Sequence, residues 1–210
     1  MNSFTFIYII GIFIILNLFQ GFTNISLENQ LIYSSIFILL LGIPHGAIDH
    51  VLFFKKREMS QLKFYTIYLG LSLLFVALWH VWPITSLILF LLISAFHFGE
   101  SQFADISFKN IFRYLFYFFW GLCLLSTLMF YNVSELFEIT SYFDDTIVLD
   151  KIYNKGKIGI FFYVTNIVTI LSICALVFYD KINKDRLFSE LFLLFLIHVT
   201  FYLFPFIIGF

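Results

Sequence analysis

Long apolar segments, separated by short polar ones, run through the whole of this chain. A transmembrane helix needs about 20 consecutive, mainly apolar residues, whereas the strands of a membrane barrel alternate between apolar and polar positions. A helix also satisfies its own backbone hydrogen bonds in lipid. The pattern therefore predicts an all-α, polytopic membrane bundle of about seven transmembrane helices, near residues 4–20, 31–54, 64–82, 84–104, 112–131, 158–179 and 187–210.

Composition supports a membrane protein. The chain is 61% hydrophobic and 12% charged, whereas soluble domains have about 45–50% apolar and about 25% charged residues. A net charge of −1 gives no reason to expect nucleic acid as a partner. Cys123 and Cys174 both fall in predicted spans and are expected to be small buried side chains. With no repeat and no long linker, residues 1–210 are predicted to form a single integral-membrane domain.

The distribution of basic residues predicts an orientation. Lysine and arginine concentrate in cytoplasmic loops of membrane proteins, and acidic residues contribute little to this rule. The loops after the second, fourth and sixth predicted spans are basic, whereas residues 132–157 carry both signs of charge. We therefore expect a multi-pass protein of the cell (plasma or inner) membrane with a cytoplasmic N-terminus. The basic residues concerned are Lys55, Lys56, Arg57, Lys63, Lys109, Arg113, Lys181, Lys184 and Arg186.

Polar side chains occur within the second predicted span, in the segment Gly42–His50. A charged group near the bilayer centre costs about 2–3 kcal/mol or more, so such groups usually face the bundle interior and belong to a functional site. His45 lies about nine residues from the cytoplasmic end of its span, and His97 about eight residues from that of the fourth. At about 1.5 Å per residue, the two imidazoles are at matched depth. They could share one metal ion or make separate interhelical hydrogen bonds.

Each of these histidines has a carboxylate one helical turn away. Asp49 follows His45 by four residues, and Glu100 follows His97 by three. A carboxylate in this position often accepts the second ring N–H of a metal-bound histidine, which is the role we favour, although it could also bind a metal directly or meet interfacial water. His50 lies about 140° around the helix from His45, so a shared metal is harder for it to reach.

The sequence gives less support for a functional role of the two remaining histidines. His198 is in the middle of the seventh predicted span, where its depth makes it a candidate third metal ligand without a supporting motif. His80 lies between Trp79 and Trp82 near the end of the third span, and such an aromatic belt favours an interfacial role.

Two segments together, Gly-Ile-Pro-His-Gly-Ala-Ile-Asp-His at 42–50 and Ser-Ala-Phe-His-Phe-Gly-Glu at 94–100, resemble motifs of the Brp/Blh family of membrane β-carotene 15,15′-dioxygenases. The resemblance implies cleavage of β-carotene by O2 at a non-haem Fe(2+) ion, giving two retinal molecules for a recipient such as a rhodopsin. It implies that His45 and His97 are catalytic iron ligands, with Asp49, His50 and Glu100 close by. Imidazole is a suitable ligand for Fe(2+), and a long apolar substrate would dissolve in the lipid bilayer.

The C-terminal part departs from the family pattern. The family's last motif, Trp-His-Ser-x-x-His on a late helix, has no counterpart before Phe210. We therefore expect a chain cut short at its C-terminus, with fewer iron ligands and impaired retinal formation. Whether the reading frame continues into a His-x-x-x-His segment would test this expectation.

Two other functions are compatible with the sequence. A non-catalytic carotenoid- or retinal-binding membrane protein would keep an apolar tunnel without the iron. A membrane transporter with proton-relaying histidines is the least favoured, because transporters of this kind are expected to have paired interrupted helices and only one span here is interrupted by glycine and proline.

Overall fold

The computed structural model describes residues 7, 9–14, 25–37, 39–40, 60–106, 111–142 and 155–209. These residues are predominantly helical and include no β-strand, which confirms the all-α prediction. Residues 9–14 are helical, and the helices whose two ends lie within the described residues are α1 (Leu27–Phe37), α2 (Gln61–Val81), α3 (Pro83–Gln102), α4 (Phe112–Tyr131), α5 (Val133–Ser141), α6 (Lys155–Phe178), α7 (Lys184–Leu203) and α8 (Phe206–Gly209).

Five of the described helices, α2, α3, α4, α6 and α7, are long and apolar enough to cross a membrane. They match the last five predicted spans, and together they identify the chain as a membrane protein. The first two predicted spans fall largely outside the described residues. The structure divides into two compact units, residues 26–89 and residues 1–25 with 90–210. The boundary falls within α3, and the prediction of a single domain stays a prediction.

The second of these units has its core where α4, α6 and α7 pack together. Side chains such as Trp120, Cys123, Ile173 and Ile197 are buried there. Small polar residues join α4 to α6: the Ser126 and Thr165 hydroxyls are 2.6 Å apart. Such interhelical hydrogen bonds and small side chains stabilise helix pairs in lipid, because the hydrophobic effect does not drive helices together there.

Local signals set where the helices begin and end. The Ser60 hydroxyl accepts a hydrogen bond from the Lys63 backbone N–H at 3.4 Å and caps α2. Pro83 occupies the first position of α3, where its missing N–H costs no hydrogen bond. The Asn183 side chain caps α7 by accepting from the Arg186 N–H at 2.7 Å. These local signals define the first residues of the helices more exactly than hydropathy does.

Three predictions are wrong in detail. The seventh span does not run unbroken to residue 210, because α7 ends at Leu203 and Phe204 is extended (φ −107°, ψ 144°) before Pro205, as expected for a residue preceding proline. The segment 132–157, treated above as a loop, contains the helix α5. Cys123 is buried as predicted, but Cys174 is exposed.

Candidate functional site

The histidine motif at residues 94–100 lies on α3 and divides between two faces of that helix. Ala95 and Gly99 are buried, whereas His97 and Glu100 are exposed. Residues four apart share a helical face, and residues three apart do so as well, so each pair forms one face. The motif therefore combines a packing face with a face that carries imidazole and carboxylate.

The packing face holds α3 against α4 at backbone contact. A Cβ atom added to Gly99 would lie 2.6 Å from the Tyr117 Cα, and one added to Gly121 would lie 2.6 Å from the Ala95 Cα. The carbonyl oxygens of Tyr117 and Ala95 would be closer still. Small residues four apart allow this approach in membrane helix pairs. Gly99 meets Tyr117, and the earlier residue Ala95 meets the later residue Gly121. The two helices therefore pack antiparallel at this point.

The other face leaves the His97 imidazole available. Its ring contacts Phe98, with centroids 6.5 Å apart, and it makes no hydrogen bond within the part of the chain that the structure describes. Glu100 is exposed on the same face. Neutral imidazole with a neighbouring carboxylate suits a divalent transition metal. His97 can therefore act as a ligand without first giving up another partner among the described residues.

A complete metal site is not formed by the described residues alone, among which no three His, Cys, Asp or Glu side chains are grouped closely enough to hold an ion. The predicted ligand His45 and its neighbours Asp49 and His50 lie outside the described residues. The assignment of His45, His97 and Glu100 to one centre therefore stays a prediction.

His198 lies among aromatic rings of α4 and α6. Its ring centroid is 6.1 Å from that of Tyr131 and 5.7 Å from that of Phe162. The Nδ1 atom is 2.8 Å from the Leu194 carbonyl oxygen. In a neutral ring this contact fits a protonated Nδ1, which leaves Nε2 as the nitrogen that could bind a metal. The role of His198 as a third ligand stays a prediction.

An ionic cluster around the buried Glu190 carboxylate joins the end of α3 to the start of α7. Arg186 Nε lies 2.6 Å from the Glu190 carboxylate, and the Gln102 side-chain amide donates to both Glu190 oxygens, at 3.2 and 2.9 Å. Arg186 also lies 3.5 Å from the more exposed Asp105 carboxylate. Glu190 is only 2% exposed. Among the ionisable residues of the seventh predicted span, His198 alone was predicted to have a functional role, and Glu190 was missed. The signal for it was an arginine and a glutamate four residues apart.

We expect the Arg186→Ala substitution to destabilise the protein by up to about 3 kcal/mol, because it leaves the Glu190 carboxylate buried without its cationic partner. Thermal unfolding in detergent measures the effect. The matched control is Lys184→Ala, which removes an exposed cation from the same helical turn. Adding Glu190→Gln to Arg186→Ala should recover much of the loss, and a double variant less stable than Arg186→Ala would contradict this account.

Comparisons with known proteins agree on one family. The family model described as β-carotene 15,15′-dioxygenase matches residues 36–210. A β-carotene 15,15′-dioxygenase from uncultured marine bacterium 66A03 is 38% identical to this chain over 71 residues. That alignment covers 31% of this chain and 26% of the relative. No solved structure matches. The family match includes both histidine segments, 42–50 and 94–100.

Proposed function

Because the chain belongs to the β-carotene 15,15′-dioxygenase family, we propose that it cleaves the central 15,15′ double bond of β-carotene with O2. Each of the two carbons of that bond receives one oxygen atom, so one β-carotene and one O2 give two molecules of retinal. The observation that supports this proposal best is the motif on α3, where His97 and Glu100 share an exposed face. The apolar helices suit a substrate that enters from the lipid.

We further propose that His45 and His97 hold an Fe(2+) ion, with His198 as a candidate third ligand. The available imidazole of His97 and the carboxylate one turn away fit such an ion. When bound, the iron would supply a coordination position at which O2 binds and becomes reactive.

The remaining roles in this proposal belong to side chains of the chain itself. Glu100 would accept the second ring N–H of His97 and orient the imidazole, and Asp49 would do the same for His45. His50 would lie beside this centre. The backbone contact of Gly99 with Tyr117 would keep the His97 face of α3 at a fixed position. A surrounding of apolar side chains would exclude water from the reacting double bond.

The proposed setting is the cell membrane, with several spans and the N-terminus in the cytoplasm. This orientation rests on basic residues at helix ends, such as Arg113 near the start of α4 and Lys184 at the start of α7, because lysine and arginine concentrate on the cytoplasmic side. Retinal released into the lipid would be available to a recipient such as a rhodopsin.

The decisive experiment is expression of the protein in a bacterium that accumulates β-carotene. We expect loss of the carotene and formation of retinal, identified by chromatography, and iron bound to the purified protein. A catalytically dead control is supplied by His45→Ala. Purified protein that carries carotenoid but neither binds iron nor forms retinal would support the carotenoid-binding alternative and contradict the proposed reaction.

A further inference from the structure

Directional polar contacts hold the C-terminal end of α3 against α7. The Gln102 side-chain nitrogen donates to both Glu190 carboxylate oxygens, at 3.2 and 2.9 Å. The Arg186 guanidinium donates to the Gln102 backbone carbonyl at 3.2 Å and also contacts the Glu190 carboxylate. Two residues of α7 therefore hold both the side chain and the backbone of the last residue of α3.

The same end of α3 is also held against α4. The Tyr117 hydroxyl donates to the Phe103 backbone carbonyl at 3.0 Å, while the Tyr117 backbone lies against Gly99. The Phe103 ring is fully buried and meets the Phe116 ring edge-to-face, with centroids 4.7 Å apart. Contacts with two different helices therefore restrain the chain where α3 ends.

These contacts restrain a movement that the packing face alone resists weakly. The face formed by Ala95 and Gly99 sets how closely α3 approaches α4, but it presents no long side chain to oppose rotation of the helix. A side-chain atom about 5–6 Å from a helix axis moves by about 2 Å when the helix rotates by about 20°. Such a rotation would stretch the hydrogen bonds between Gln102 and Glu190 well beyond their normal length. Glu190 therefore opposes rotation of α3.

The position of the His97 imidazole depends on the rotation of α3. The ring is exposed and makes no hydrogen bond among the described residues, so the helix backbone decides where it lies. Gln102 is five residues further along the same helix, and a rotation that breaks its contact would displace the imidazole by a similar distance. Functional groups must be held to within about 0.5 Å and about 10–20° of their productive geometry.

Stability alone does not require a carboxylate at position 190. A buried ion pair can often be replaced by apolar side chains of similar volume without loss of stability, and ionisable groups within membrane spans usually have a functional role. The Glu190 carboxylate, held by Arg186, offers Gln102 two acceptor oxygens at a fixed place. An apolar side chain offers none.

We propose that Glu190 is a positioning residue for the reaction. By holding Gln102 it sets the rotation of α3 and thereby the place of the His97 imidazole at the metal. This role rests on the proposed function of His97 as an iron ligand. Glu190 acts through the helix and does not itself touch the metal or the substrate.

The Gln102→Met variant of the purified full chain, loaded with Co(2+) in place of iron, tests the proposal. Methionine has a similar length but cannot donate a hydrogen bond, and the ion pair of Arg186 with Glu190 is kept. We expect the affinity for Co(2+) to fall by about tenfold. The visible absorption of bound Co(2+) should also change, because its d–d bands depend on the geometry of the ligands.

A matched control and a second variant separate position from stability. Thr165→Val removes a buried hydroxyl 2.6 Å from that of Ser126, at the contact of α4 with α6. It should lower the thermal midpoint and leave Co(2+) affinity and absorption unchanged. The paired variant Glu190→Leu with Arg186→Met removes the buried charge together with its partner. It should keep the thermal midpoint of the wild type and still show the Co(2+) changes of Gln102→Met, so it tests the role even if Gln102→Met does not fold.

Wild-type Co(2+) affinity and absorption in Gln102→Met or in the paired variant would overturn the proposal. Equal Co(2+) changes in Thr165→Val would also overturn it, because metal binding would then follow stability alone. The proposed iron site is judged separately by His97→Ala, and an unchanged Co(2+) spectrum in that variant would contradict it. A spectrum that depends on His97 but not on Gln102 would contradict only the positioning role of Glu190.

Discussion

The His97→Ala substitution is expected to reduce retinal formation by more than about 100-fold and to lower the iron content of the purified protein. Loss of a residue that merely orients a metal ligand costs about 10–100-fold in metal affinity or activity, and loss of the ligand itself should cost more. The exposed imidazole makes no hydrogen bond among the described residues, and its centroid lies 6.5 Å from that of the Phe98 ring. Its removal should therefore leave the folded structure intact.

The matched control for this substitution is His80→Ala. His80 is an exposed histidine on α2 and lies outside the two motifs. Retinal formation, iron content and the thermal midpoint should all stay at wild-type values in this variant. A His97→Ala protein with normal iron content would remove His97 from the ligand set, even if its activity were low.

The Glu100→Gln substitution tests whether Glu100 orients the His97 imidazole or binds the metal itself. The amide keeps the size of the side chain but would weaken the hydrogen bond that we propose Glu100 makes to the His97 ring when iron is bound. We therefore expect iron affinity to fall by about 10–100-fold without complete loss. An effect as large as that of His97→Ala would indicate that Glu100 binds the metal directly.

The second large effect is expected from a single added methyl group at the contact of α3 with α4. We expect Gly99→Ala and Gly121→Ala each to destabilise the protein by about 3 kcal/mol or more. The added Cβ would overlap the backbone of Tyr117 or Ala95, and a backbone cannot move aside as a flexible side chain can. Overpacking of a well-packed core usually costs about 1–3 kcal/mol.

The same substitution at two other helical glycines is the control. A Cβ on Gly70 meets nothing within 4 Å, and one on Gly159 meets only the Phe130 ring at 3.9 Å. Alanine is favoured over glycine in a helix interior by about 1 kcal/mol, so these two variants should be neutral or slightly more stable. Thermal unfolding in detergent measures all four. Equal behaviour of all four variants would contradict the backbone contact.

This contact also explains why the histidine motif contains small residues. Ala95 and Gly99 allow α3 to approach α4, and the same turns of helix present His97 and Glu100 on another face. Separation of the helices would displace the imidazole together with the backbone that carries it. We therefore expect Gly99→Ala to lower retinal formation through position, with His97 itself unchanged.

Much of the architecture could be predicted because hydropathy is a local property of the chain. The fifth predicted span, 112–131, coincides with α4 (Phe112–Tyr131). The prediction of the seventh span was wrong at Phe204, where the following Pro205 ends the helix although the segment stays apolar. The helix α5 was missed because its apolar face is short, with Leu136 and Thr140 as its buried residues.

The sequence by itself determined the membrane class, the five helical spans that the structure describes and the two histidine motifs, because helix length, apolar composition and residue spacing are all readable along the chain. Only the tertiary structure decided which partners the polar groups meet. Gln102 and Glu190 are 88 positions apart, and a cavity that Trp120 lines takes its walls from α3, α4, α7, α8 and residues 11–12. Such contacts depend on how helices pack and rotate against one another, and this arrangement follows from complementary surfaces rather than from the period of any one segment.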